Sequence, residues 1–161
     1  MKLILKNIKY AAFASEETHC YEATLYANGK AVAKVGNDGH GGPDRVYETN
    51  KETMKAVYAY IDSLPKEVTD IKESDGTFWE MDQSLETICG NLVNDFLVLR
   101  DVKKALKRVI YTKPNSTDIW ELKPKWKPTP DFLAEFKKEN PTYRILNSLP
   151  VDEVVKIWRT L

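Results

Sequence analysis

The residues best suited to chemistry lie in one short run, Gly36-Asn37-Asp38-Gly39-His40-Gly41-Gly42-Pro43. Consecutive backbone N–H groups in a glycine-rich turn can form a concave nest for an anion such as a phosphate or carboxylate. Glycine is also needed wherever the backbone must approach a ligand closely. His40, in the middle of the run, could donate to a phosphate or act as a general acid–base, with Asp38 or Asp44 to orient it. Arg45, just beyond, would add a fork of donors beside the nest. The candidate ligand-binding set is therefore Gly39, His40, Gly41, Gly42 and Arg45, joined by His19 from the polar loop at 15–19. The spacing fits neither GxxxxGK[ST] nor a strand–GxGxxG–helix arrangement, so no nucleotide cofactor is implied. The same run also reads as a loop that needs several positive-φ residues to leave a sheet edge.

Other chemistries find less support. Cys20 follows His19 directly, but adjacent strand residues point to opposite faces and cannot easily form a catalytic pair. There is no G-x-S-x-G elbow. Two cysteines and two histidines, without CxxC or Cys–His ligand spacing, argue against a zinc site and for reduced, buried thiols. No catalytic set can be assembled. The enzyme alternative rests on His40 as acid–base with Asp38. A strip from Lys103 to Lys127 interleaves basic residues with Tyr111, Trp120 and Trp126, and could contact phosphates and stack a base. The strip is short and the whole chain carries no net charge. The preferred reading is that Lys103–Arg108 complement a helix C-terminus while the tryptophans pack in the core, which disfavours nucleic acid as a partner.

Residues 2–35 are a β-meander. Tyr21, Ala23, Leu25 and Ala27 alternate with polar neighbours, and Asn28-Gly29 then turns the chain into a second alternating run, the strongest short hairpin signal. Thr49 with Glu52 reads as a capping box opening a helix whose face carries Met54, Val57, Tyr58, Ile61 and Leu64, before Pro65. Residues 66–82 read as an acidic, irregular connection with a turn at Asp75-Gly76. A long helix from about Ser84 carries the stripe Leu85, Ile88, Cys89, Leu92, Phe96, Leu99, Val102 and Leu106, and should pack across the sheet. A second hairpin spans 108–123. Thr129-Pro130 caps a further helix, Tyr143–Leu146 is a short strand, and Pro150 opens a last helix. The order βββ-α-α-ββ-α-β-α is α+β: an N-terminal antiparallel meander packed by helices, a second hairpin and a C-terminal α-β-α segment.

At 161 residues, with 42% hydrophobic content, the chain can bury a core without staples and is expected to be a single domain, 1–161. Its charge is unevenly spread. Residues 1–102 hold 11 Lys+Arg against 17 Asp+Glu, whereas 103–127 hold 8 against 2. MKLILKNIKY is interrupted by Lys6, Asn7 and Lys9 and does not make a signal peptide. No apolar stretch is long enough for a membrane helix. A cytoplasmic protein that does not engage membrane is the expectation.

The segment HCYEATLYANGKAVAKVGNDGHGGP, with LVNDFLVLRDVKKAL and the closing YRILNSLPVDEVVKIW, resembles a group of small bacteriophage and bacterial proteins of uncharacterised activity that share the form EATLYxxGKxxxxVxNDGHGG. The resemblance spans nearly the whole chain and implies a host-directed binder. The resulting expectation is a non-enzymatic binding protein whose 36–43 loop holds an anionic or phosphate-bearing small molecule or partner. Its alternatives are the His40 enzyme and a host-protein inhibitor without a small-molecule site, working through an acidic or aromatic face.

Overall fold

The computed structural model describes residues 1–123 and 128–160, and the fold is α+β. Two compact units, Met1–Asn94 and Asp95–Leu161, divide within the long helix α2 (Leu85–Ala105).

The first unit is built on an antiparallel sheet in the order β1 (Leu3–Tyr10), β2 (Tyr21–Ala27), β3 (Lys30–Asn37), β4 (Arg45–Glu48). Alternation decides its faces. Tyr21, Ala23, Leu25 and Ala27 are buried, while the residues between them are more exposed. The Asn28-Gly29 turn forms as the sequence requires: both residues have positive φ, 47° and 84°, and Ala27 pairs with Lys30. Strand β3 runs further than the glycines suggested and includes Gly36 and Asn37. Gly36 lies opposite Glu22 on one side and Arg45 on the other. A Cβ there would stand 2.6 Å from the Tyr21 carbonyl oxygen, so glycine serves close strand approach rather than a loop. β4 itself had no signal beyond two apolar residues.

Helix α1 (Lys51–Asp62) buries Met54, Val57 and Ile61. Its N-cap is Asn50, not Thr49. The Asn50 side-chain oxygen accepts from the Thr53 N–H at 2.9 Å, which moves the start one residue on from the expected capping box. The stretch at 66–82 is a correction of a larger kind. It forms an antiparallel ribbon, β5 (Glu67–Lys72) and β6 (Phe78–Met81), around the Asp75-Gly76 turn. The strand signal was hidden because the ribbon buries almost nothing: Val68, Ile71, Phe78, Trp79 and Met81 are all between 45% and 60% exposed. The first part of α2 brings Leu85, Cys89 and Val93 into this unit's core, at i, i+4 and i+8.

In the second unit, β7 (Val109–Thr112) lies between β8 (Ile119–Leu122) and β9 (Arg144–Ile145). Val102, Ala105, Ile110, Leu146 and Val154 form its core, the last from α4 (Val151–Trp158). The Asn147 amide binds this unit together, donating to the Leu106 and Arg108 carbonyls and accepting from the Ile110 N–H. Helix α3 (Pro130–Glu139) begins as expected: Thr129 accepts from the Phe132 N–H and Pro130 occupies the first turn. Among the described residues, no helix is long and apolar enough to cross a membrane.

Candidate functional site

Two loops of the first unit clasp each other, and the clasp is polar. Three successive N–H groups, of Glu16, Glu17 and Thr18, converge on the Gly39 carbonyl oxygen at 3.0, 2.9 and 3.3 Å. A nest therefore exists, but it belongs to residues 16–18, and a backbone carbonyl fills it. Beneath it sits Asn37, 4% exposed. Its Oδ1 accepts from the Thr18 hydroxyl (2.7 Å) and the Gly39 N–H (2.8 Å), and its Nδ2 donates to Gly42 O (2.8 Å) and Asp44 Oδ1 (3.0 Å). All four bonding positions of the amide are used, which fixes its orientation without ambiguity.

The clasp forms one wall of a cleft of about 420 Å³. Glu16, Glu17, Thr18 and His19 line one side, Tyr10, Tyr21 and Asp44 the sheet end, and Glu86 and Gly90 of α2 the other. At its base the Tyr21 hydroxyl donates to Asp44 Oδ2 and also meets the Cys89 thiol. Burial, then the Asp44 hydrogen bond, push the Tyr21 phenol well above its ordinary range. Burial, then the Asp44 charge, push the Cys89 thiol up to about 12. Tyr21 and Cys89 are thus both held neutral at the base. His19 is fixed by its Nε2, 2.7 Å from Asn94 Oδ1, and by an edge-on contact with Tyr10, ring centroids 5.7 Å apart.

Gly90 has a different character. It sits inside a helix, where glycine costs roughly 1 kcal/mol relative to alanine. Yet a Cβ there would meet nothing within 4 Å. Packing does not require glycine at this point, and its absent side chain leaves the cleft wall open.

The sequence-derived candidates are distributed unevenly about this cleft. His19 lines it. Gly39 is buried in the clasp, where its own N–H is spent on Asn37. The Gly41 N–H faces Thr18 Oγ1 at 3.4 Å, and the His40 N–H faces Asp38 Oδ1 at 3.3 Å. The three amides on which an anion nest would depend therefore point at oxygens of the protein. The His40 ring is exposed and faces Glu16, Nδ1 to Oε2 3.3 Å. Asp38 contacts the His40 backbone and Asp44 is paired with Tyr21 and Asn37, so neither orients the imidazole as expected. Arg45 stands opposite Gly36, in line with Glu22 on the strand beyond and one position out of phase with Tyr21 and Asn37, and so projects from the other face of the sheet. It lines separate surface depressions, not the cleft. Gly42 has neither positive φ nor any atom within 4 Å of a Cβ. Asn37, Thr18, Tyr21, Glu86 and Gly90 were not singled out as site residues by sequence, and Asp44 only as a partner for His40. Asn before Asp-Gly was the one available signal, since short amides organise turns.

Among the described residues there is no group of three or more His, Cys, Asp or Glu able to hold a metal ion. In the basic strip, Trp120 is not core. It is 42% exposed, with the Lys113 ammonium 3.6 Å from its ring centroid. Arg108 and Lys123 both pair with Glu121, and the Arg108 hydrogen bond holds that carboxyl below its ordinary range. Lys125, Trp126 and Lys127 lie outside the described residues. Comparison with protein families, with curated proteins and with solved structures finds no match to this chain.

Two outcomes follow from the clasp and the base. Gly39 has φ +92°, and a Cβ would overlap the Ala14 carbonyl oxygen. Gly39→Ala is expected to cost about 3 kcal/mol or more and lower the melting temperature by roughly 6 °C or more. Gly42→Ala should leave it within about 1 °C. Equal effects of the two variants in a thermal melt would refute the clasp. The second outcome concerns alkaline pH. Tyr21 and Cys89 are acids whose folded pKa values are raised, so the stability they contribute is complete below the ordinary thiol value of 9.0 and is lost as pH rises toward about 12. Urea midpoints measured from pH 8 to 11 should fall, and should fall less steeply in Cys89→Ala. An identical slope in the variant would show that the thiol is not linked to folding.

Proposed function

We propose that this chain is a non-enzymatic binding protein whose cleft at residues 15–19, 44 and 86–90 receives a small ligand bearing ammonium or hydroxyl groups. The observation that carries this reading is the pre-formed cleft with four carboxylates, Glu16, Glu17, Asp44 and Glu86, and two tyrosines in its walls. Such a lining attracts cations and repels phosphate. The glycine-loop amides that would have offset the repulsion are already engaged. The ligand chemistry is therefore opposite in sign to that expected from the glycines alone. Binding is favoured over catalysis because the cleft's hydroxyls are committed, Thr18 to Asn37 and Ser15 to the Ala11 carbonyl, and Tyr21 and Cys89 are held neutral. The resemblance to bacteriophage proteins adds a host-directed, cytoplasmic role to the reading.

A titration of the protein with spermidine, beside inorganic phosphate and AMP, tests the sign. Spermidine should saturate with amide shifts at residues 15–19, 37–44 and 86–90, and Glu86→Gln should weaken it several-fold at low salt. Gly90→Ala should raise the melting temperature through helix propensity while weakening binding, a pairing that a merely structural glycine would not give. Saturation by phosphate but not spermidine would overturn the proposal.

A second reading, that of a protein-interaction module, is favoured by the β5–β6 ribbon. Five large apolar residues are exposed on it, and residues 66–82 carry six acidic side chains against two lysines. Apolar exposure concentrated on one element in this way marks interaction surfaces, and the charge selects a basic partner. A photo-crosslinking residue at Trp79 should give a discrete adduct with a host protein, competed by wild-type chain but not by a Val68→Ser/Phe78→Ser variant. Competition by both would remove the ribbon from the interface.

A further inference from the structure

The second unit contains an apolar groove of about 570 Å³ between α3 and the turn that follows β9. Pro130, Leu133 and Ala134 form one wall, and Ile145 and Leu149 the other. Helix α3 buries none of its residues fully. Phe132 and Phe136 are half-buried, and Phe136 packs on Tyr111, ring centroids 5.2 Å apart. Leu133 is left to the groove.

The polar lining is one-sided in charge. Lys137 and Arg144 line the groove, with Asn147 and Ser148 as neutral neighbours, and no acidic residue is among the lining residues described. Lys137 is not a loose surface lysine. Its ammonium donates to Pro141 O at 2.9 Å and to Tyr143 O at 2.5 Å. An ammonium has three donors, so the third remains for a ligand while the other two hold the charge in place. Arg144 has Glu153 at 3.9 Å, a long and half-exposed pair that leaves most of the guanidinium fork uncommitted. Asn147 and Ser148 cannot compete, since Asn147 is occupied by Leu106, Arg108 and Ile110, and Ser148 by the Ile145 carbonyl.

We infer that this groove binds an amphipathic carboxylate, its alkyl body against Leu133, Ala134, Ile145 and Leu149 and its carboxylate between Lys137 and Arg144. Apolar walls with a few convergent polar groups are the usual make-up of a small-molecule site. A pinned ammonium and a guanidinium met by one acid alone, Glu153 at 3.9 Å, select the anionic head group. Association would bury hydrocarbon and replace water at a pinned ammonium, with little reordering of the protein.

Octanoate, octan-1-ol and octylamine, titrated into the 15N-labelled full chain, separate the contributions. Octanoate should saturate with shifts confined to residues 130–149, octanol should bind at least fivefold more weakly, and octylamine should not bind. Arg144→Gln with Lys137→Gln should bring octanoate down to the level of octanol while circular dichroism stays unchanged. Leu133→Asp should remove binding of both, and if that variant does not fold, Ala134→Asp at the groove rim serves in its place. Equal binding of octanoate and octanol by the wild type, absence of saturation, or octanoate affinity indifferent to the double substitution would each overturn the inference.

Discussion

The convergence of three amide groups on the Gly39 carbonyl oxygen constrains everything around it in the first unit. To present that oxygen, Gly39 must adopt φ +92°, a conformation in which other residues are strained. To lie that close to the 14–18 loop, it must lack a Cβ. The remaining polar atoms of the crossing are closed by one amide, Asn37, which bonds Thr18, Gly39, Gly42 and Asp44 at once. Aspartate could not replace it, because two of those four positions need a donor and a carboxylate has none. A fully satisfied buried network of this kind specifies one arrangement, whereas a partly satisfied one would destabilise the loops it joins.

The direction of the clasp also decides the electrostatics. A glycine loop that turned its amides outward would offer an anion site. Here the glycine loop contributes a carbonyl, and the amides come from a segment whose side chains are Glu16 and Glu17. Pulling those amides inward leaves the two carboxylates at the cleft, across from Glu86 of α2 and beside Asp44. The acidity of the cleft is thus a consequence of which loop supplies the donors. It is not visible in the net charge, which is zero for the whole chain.

Legibility in the sequence followed the range of the interactions. The Asn28-Gly29 hairpin and the Thr129-Pro130 helix start depend on neighbours three residues apart, the second hairpin on a turn closed by Thr112 and Ile119, and their patterns are local. The 36–43 loop was recognisable as special, and His19 was recognisable as a loop histidine. What could not be read was the partner of each. Gly39 answers to residues 14–18, His19 to Asn94, and Tyr21 to Asp44 and Cys89, and no periodicity encodes separations of that length. Arg45 illustrates the cost of one missed strand. Placed in a loop it belongs beside the glycines, but as the first residue of β4 its side chain takes the face set by pairing with Gly36. The ribbon at 67–81 escaped for the opposite reason, because alternation reports burial and this ribbon buries almost nothing.

The cleft and the ribbon therefore differ in what an occupant would change. The cleft walls are already ordered by the Asn37 network and by the His19–Asn94 bond, so a ligand there meets a pre-organised surface and loses little affinity to ordering. A two-stranded ribbon is at best marginally stable in water without a third strand or a packed face. Lys72 lies over the Phe78 ring, 5.2 Å from its centroid, which covers part of one apolar side chain and leaves Trp79 and Met81 exposed. Association at the ribbon would supply the face that the chain itself does not, so its partner would stabilise local structure as well as bind it. Ordering on contact of this kind lowers affinity per unit of buried area but leaves the surface free to adapt. A ligand that needs fixed geometry would thus suit the cleft, and a larger partner would suit the ribbon.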